Sequence, residues 1–281
     1  MQKTLKKYFA VFLLPTLIAF AIAFMIPFVT GLYLSFCDFT TVSNAKFVGI
    51  QNYITAFDPS QRFIESFGFT TLFTIVSIVT VNIIAFTLAY LLTKKIKGTN
   101  FFRTVFFMPN LIGGIVLGYT WQSMINAVLA NYGTTLVANG KYGLIGLILL
   151  MNWQMIGYMM IIYIAGLQNV PTELIEASKI DGATKWQTLR HVTIPMVMPS
   201  ITICLFLTLS NSFKLYDQNL ALTNGAPMHK TEMLALNIVN SFYGRSNFEG
   251  VGQAKAVMFF VIVALIALIQ LYYTRKREVE H

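Results

Sequence analysis

Charge is what this sequence has least of. Eleven acidic and twenty basic residues occur among 281, with three histidines and two cysteines. A soluble domain of this length needs a polar surface, and such a composition cannot supply one. With only Cys37 and Cys204 there is no disulfide framework, and no metal-ligand spacing exists. No His/Asp/Glu constellation occupies an apolar run, which argues against a membrane enzyme. A phosphate loop is also missing: Gly140-Lys141-Tyr142 lacks both the earlier glycine and the hydroxyl of Gly-x-x-x-x-Gly-Lys-Ser/Thr. The chain is therefore expected to be non-catalytic, with no cofactor of its own.

What it does have is apolar length. Hydrophobic residues make up 56% of the chain, and several runs can cross a hydrocarbon core of roughly 30 Å at about 1.5 Å per residue. The class is an all-α polytopic membrane protein. Six transmembrane helices are expected, near 9–36, 69–93, 105–127, 143–167, 196–216 and 255–274. The first run follows Lys3, Lys6 and Lys7 but is too long for a signal core of about 7–15 residues, so it is read as a retained span. Pro15 and Pro27 inside it mark kinks. Gly114 and Gly118 make a small-xxx-small pair that permits close helix approach.

The formal charge of +9 lies in short clusters between these runs, which suits anchoring on one membrane face and not nucleic acid. One side receives Lys3, Lys6, Lys7, Lys94, Lys95, Lys97, Arg103, Lys179, Lys185, Arg190, Arg275, Lys276 and Arg277. The opposite loops carry only Lys46, Arg62, Lys141, Lys230 and Arg245, with Lys214 and Lys255 at span edges. Positive residues stay inside, so both termini are expected in the cytoplasm.

One segment is charged where its neighbours are not. "EASKIDGATKWQTLRHVTIP" (176–195) sits between the fourth and fifth runs. Each charge at mid-bilayer costs roughly 2.5–3.5 kcal/mol, so the segment must lie at or beyond the surface. It is also coded for helix. Thr172 is expected as an N-cap with Glu173 at the first helical position, and Gly182 supplies a stop. Thr184 and Gln187 fit a capping box that opens a second short helix. Ile194-Pro195 and Pro199 mark the turn into the fifth span. Two short helices with an elbow are expected, either as a rigid docking protrusion or as a helix lying on the headgroups.

Within the spans, ionisable side chains other than tyrosine are sparse, which weighs against a proton- or sodium-coupled carrier. Neutral polar groups and aromatics take their place: Trp121, Gln122 and Asn126; Asn152, Trp153, Gln154 and Tyr158; Thr208, Asn211 and Ser212. Thr208, Asn211 and Ser212 have the spacing to share one helix face. Amides, hydroxyls and stacking rings suit a sugar, and they equally suit hydrogen bonding between helices.

The charged segment resembles the cytoplasmic signature of permease subunits of binding-protein-dependent ATP-binding-cassette (ABC) importers. That signature is Glu-Ala-Ala, then Gly after a short gap, then Ile-x-Leu-Pro. Here it reads Glu176-Ala177-Ser178, Asp181-Gly182-Ala183 and Val192-Thr193-Ile194-Pro195, with Ser and Ile as mild departures. "FLLPTLIAFAIAFMIPFVTGLYLSFCDF", "FVGIQNYITAF", "KGTNFFRTVFFMP" and "LTNGAP" resemble, in order, segments of the sugar-importer branch.

The resemblance implies a type I ABC importer (MetI-like) permease fold. It divides the chain into 1–66 (tail, first helix and outer loop), a transmembrane domain over 67–274 with the coupling helix at 172–195, and a cytoplasmic tail at 275–281. It makes Glu176, Ala177, Asp181 and Gly182 the docking residues for a separate ATPase; Leu174, Ile175 and Trp186 are read as grip from their exposed position on the protrusion alone. It favours Tyr158, Thr208 and Ser212 as sugar contacts, beside Trp121, Asn152, Trp153 and Asn211, and leaves Asn82 structural. The implied partners are a second permease, two ATPase subunits that bind the ATP, and an extracytoplasmic sugar-binding protein received by the outer loops 37–68 and 217–253. Phe39, Phe47, Ile50, Tyr53 and Phe57 would form an amphipathic layer on the membrane face. The implied location is the bacterial plasma membrane. Alternatives are an importer of another solute, or a secondary carrier or channel.

Overall fold

The computed structural model describes residues 2–94 and 97–276. Lys95 and residues 277–281 of the 275–281 tail lie outside the described residues, as do the side chains of Lys3, Lys6 and Lys7. The chain divides into two compact units, Met1–Phe63 with Ile238–Phe260 and Ile64–Asn237 with Val261–His281.

In the first unit, α1 (Gln2–Phe20) runs through a π-helical turn (Ala21–Met25) into α2 (Ile26–Leu34). The widened turn ends two residues before Pro27. Proline has no N–H and its ring crowds the carbonyl four residues back, so the ladder locally opens, with the Ile26 amide donating to Ala21. After α2, β1 (Cys37–Asp38) pairs antiparallel with β2 (Lys46–Phe47), and α3 (Gln51–Ala56) follows. Leu34, Cys37 and Phe39 form a small core with Ala45 and Phe242. Lys255, read from the sequence as a span-edge residue, is fully buried. Its ammonium donates to Ser241 Oγ at 2.6 Å and to the Gln61 carbonyl at 3.1 Å.

The second unit is built around α7 (Gly140–Gln168), much of which is buried. Leu147, Leu150, Met151, Met155, Met159 and Tyr163 of α7 meet Phe73, Val81, Ala85 and Ala89 of α4 (Phe63–Leu92). α7 is also met by α5 (Thr99–Phe107) and α11 (Met198–Phe213).

Among the described residues, four helical stretches are long and apolar enough to cross a membrane unaided: Leu13–Leu34, Phe63–Leu92, Gly140–Gln168 and Glu249–Arg275. The last is α14, preceded by α13 (Leu234–Tyr243). The other two passages are broken, making six only when each bent pair counts as one. Thr99–Leu111 and α6 (Gly114–Ala130) meet at 102°. The residues between them, Ile112 and Gly113, are extended. Lys185–Met196 and α11 meet at 71°, next to Pro195 and Pro199. The sequence reading of 105–127 as one passage is corrected on this point, because hydropathy reports length and not the break at Ile112–Gly113; the bend before α11 falls at Pro195 and Pro199, where the sequence places it.

Candidate coupling and translocation sites

The charged insert folds as α8 (Thr172–Ile180) and α9 (Lys185–Thr188), continued by a π-helical turn (Leu189–Thr193) and α10 (Ile194–Met196). The π turn again ends two residues before a proline, Pro195, with the Ile194 amide reaching back to Leu189. Thr172 does not cap α8. Pro171 holds the N-cap position, and no side chain closes that end.

The far end of α8 is closed by backbone. Asp181, Gly182 and Ala183 amides donate to Ala177, Lys179 and Ser178 carbonyls. This wrapping turn needs a left-handed residue, and Gly182 supplies φ +77° with open space where a Cβ would stand. The capping box is present as read: Thr184 N–H donates to Gln187 Oε1 at 2.8 Å, and Gln187 N–H to Thr184 Oγ1 at 3.3 Å.

Ser178, the departure from Glu-Ala-Ala, ties the elbow. It is buried, its hydroxyl bonding the Ile175 carbonyl at 2.8 Å and the Thr188 hydroxyl at 3.0 Å. Glu176, Ala177, Asp181 and Gly182 stay exposed, with Leu174 and Trp186, while Ile175 is half-buried. Ile180 is 86% exposed, a large apolar surface for a polar knob. A cleft of about 280 Å³ opens at the inner side of the elbow, lined by Ser178, Asp181, Gly182, Gln187 and His191 among others.

The residues expected to line a pathway divide. The Trp121 and Trp153 rings meet edge to face at 5.7 Å, with Trp153 exposed and Trp121 half-buried. Tyr158 is half-buried beside Phe107. Asn152 is buried, donating to the Ile148 carbonyl. Thr208, Asn211 and Ser212 do not present one face to one environment. Thr208 and Ser212 are fully buried and Asn211 is exposed. At about 100° per residue, position 211 stands some 60° from 208, enough to leave the packed seam.

Thr208 donates to the Cys204 carbonyl and accepts from Asn82 Nδ2 at 3.3 Å, while Asn82 Oδ1 accepts from Tyr163 at 2.7 Å. Other polar groups also join helices. Gln122 donates to the Leu222 carbonyl, Gln154 accepts from Gln218, and Asn126 accepts from the Leu136 amide. Gly114 and Gly118 admit α12 (Asp217–Leu222), where Cβ atoms would stand 2.8 Å from Asp217 and 2.5 Å from Ala221. Sequence reasoning passed over Asn219, which is fully buried and bonds Thr223, the Thr231 carbonyl and the Met233 amide. No periodicity marks a residue that serves its own loop.

Six apolar passages, a charged two-helix elbow between the fourth and fifth, and polar seams joining the helices are the construction of a membrane permease. Residues 98–279 match the family described as binding-protein-dependent transport system inner membrane component, and the chain belongs to that family. It is 44% identical to the "Probable starch degradation products transport system permease protein AmyD" of Thermoanaerobacterium thermosulfurigenes, over 97% of this chain and 96% of that one. It is 32% identical to the multiple sugar-binding transport system permease protein MsmF of Streptococcus mutans, over 99% of each. Its fold matches a chain of a bacterial ABC transporter involved in import of the acidic polysaccharide alginate, with a TM-score of 0.81 at 21% identity over 98% of both chains.

Proposed function

We propose that this chain is one of two permease subunits of an ATP-driven carbohydrate importer in a bacterial plasma membrane, with both termini in the cytoplasm. The observation that carries the mechanism is the exposed elbow, closed by backbone at Gly182 and by the capping box at Thr184 and Gln187. A stiff knob transmits displacement that a loose loop would dissipate. Two ATPase chains bind the ATP, and their closure moves Glu176, Ala177, Asp181 and Gly182, gripped through Leu174, Ile175 and Trp186. The bent joint before α11 passes that movement into the membrane, and an extracytoplasmic binding protein delivers cargo to the opened side. Trp121, Trp153, Tyr158 and Asn211 line the pathway, with Asn152, Thr208 and Ser212 behind them. The names of its relatives support a carbohydrate cargo.

The test is uptake of labelled maltooligosaccharide by proteoliposomes holding the assembled transporter and its binding protein. Uptake is expected to require ATP, to survive collapse of ion gradients, and to vanish in Gly182→Asp while the subunit still inserts. Uptake that persists without ATP and fails with the ion gradient would select a secondary carrier. ATP-driven uptake of a different solute would keep the mechanism and discard the cargo.

A further inference from the structure

The unit Met1–Phe63 with Ile238–Phe260 contains a small folded platform between α2 and α4. The β1–β2 pair closes it. Asn52 Nδ2 donates to the Ser35 and Cys37 carbonyls at 3.0 and 2.8 Å, and the Tyr53 hydroxyl bonds Ser35 Oγ at 2.7 Å. These bonds fix the rotation of α3, so that Asn52 and Ala56 turn inward. Phe39 is buried beneath, so it and the tethered Tyr53 do not belong to an outer apolar layer. Phe47, Ile50, Ile54 and Phe57 do, each more than half exposed. Phe57 sets one edge against the buried Phe63 ring at 5.7 Å, and all four side chains still keep more than half of their surface outside their own core.

We propose that this face is seated in the bilayer, at the boundary between headgroups and acyl chains, as an interfacial anchor. Continuity with the membrane surface is the first argument. The segment begins where α2 ends at Leu34 and finishes where α4 begins at Phe63, so both of its ends are tied to membrane-crossing helices. Exposed Ile26, Val29 and Leu32 stand on α2, the helix that runs into it. Chemistry is the second argument. Lys46 stands exposed directly before Phe47. An aromatic ring in the acyl boundary beside a lysine reaching phosphate is how interfacial segments sit. The occupant is therefore lipid, and the anchor fixes the depth of these helix ends in the membrane.

The test uses the assembled transporter in nanodiscs of phosphatidylethanolamine and phosphatidylglycerol, with spin labels at Ile54→Cys, Phe57→Cys and, as a control, Ser43→Cys. Ile50→Cys serves where either apolar variant fails to assemble. The unsubstituted protein gives the background from Cys37 and Cys204, both buried. Dissolved oxygen is expected to relax labels at 54 and 57 several-fold more than a water-soluble nickel chelate, with the order reversed at 43. Nickel dominating at 54 and 57 would put the face in water. Exclusion of both reagents there would put it against protein. Either result overturns the anchor and leaves the transport reading untouched, because no uptake is measured.

Discussion

At Gly157 two helix backbones meet. A Cβ there would stand 1.8 Å from the carbonyl oxygen and 2.7 Å from the next amide nitrogen of the Phe106–Phe107 segment. Backbone cannot swing aside as a long side chain can, so Gly157→Ala must push α5 off α7. Thermal unfolding of the assembled transporter is expected at clearly lower temperature, with fewer subunits recovered. Gly182→Ala is the contrast. It meets open space and carries only left-handed strain, about 1–2 kcal/mol, so a small drop in unfolding temperature is expected with no helix displaced and no loss of recovered subunits. Buried hydroxyls give a second contrast. Asn82→Ala removes the acceptor of the Tyr163 hydroxyl and leaves Thr208 with its Cys204 bond alone, an expected loss of about 1–3 kcal/mol. Ser212→Ala removes a buried Oγ that has no partner here and should not lower the unfolding temperature. A marked loss of stability in Ser212→Ala would show that its hydroxyl is structurally engaged.

At the scale of elements, the elbow can be loosened without touching its docking face. Thr184→Ala with Gln187→Ala deletes the two reciprocal bonds that start the four-residue α9. A cap of this kind is worth about 0.5–2 kcal/mol, a large share of what holds so short a helix. ATP hydrolysis is expected to continue while sugar moved per ATP falls; unchanged coupling would mean that stiffness at the elbow is irrelevant. This element was also the most legible part of the sequence. Thr184, Gln187 and Gly182 act through bonds within a few residues, so local pattern sufficed to place them. Thr172 failed as a cap because Pro171 already sets the extended entry to α8. The broken third passage was less legible, since the extended Ile112–Gly113 pair sits inside an unbroken apolar run. Least legible were Thr208 and Ser212. Whether a hydroxyl faces cargo or a neighbouring helix depends on the packing of distant helices, and α4 lies far from α11 in sequence. The hydroxyl at Ser178, treated as a mild departure, turned out to pin the two arms of the elbow.

For the whole molecule, the asymmetry of basic residues predicts which face carries the elbow. Lys97 and Lys276 fall on the lysine- and arginine-rich side with Lys179 and Lys185, whereas Lys141 and Lys230 fall on the poor side. All four test positions are exposed, so each accepts a cysteine without disturbing a core. The two native cysteines are buried and contribute little background. In intact spheroplasts, a membrane-impermeant maleimide is expected to label Lys141→Cys and Lys230→Cys at once. Lys97→Cys and Lys276→Cys should react only after permeabilisation. The physical reason is retention of positive charge on the cytoplasmic face. An ATP-driven mechanism requires the same result, because nucleotide and ATPase are in the cytosol. Labelling in the opposite order would put the elbow on the outer face, where no ATPase can reach it. A mechanism in which nucleotide drives the helices through residues 172–188 would then fail, whatever the cargo.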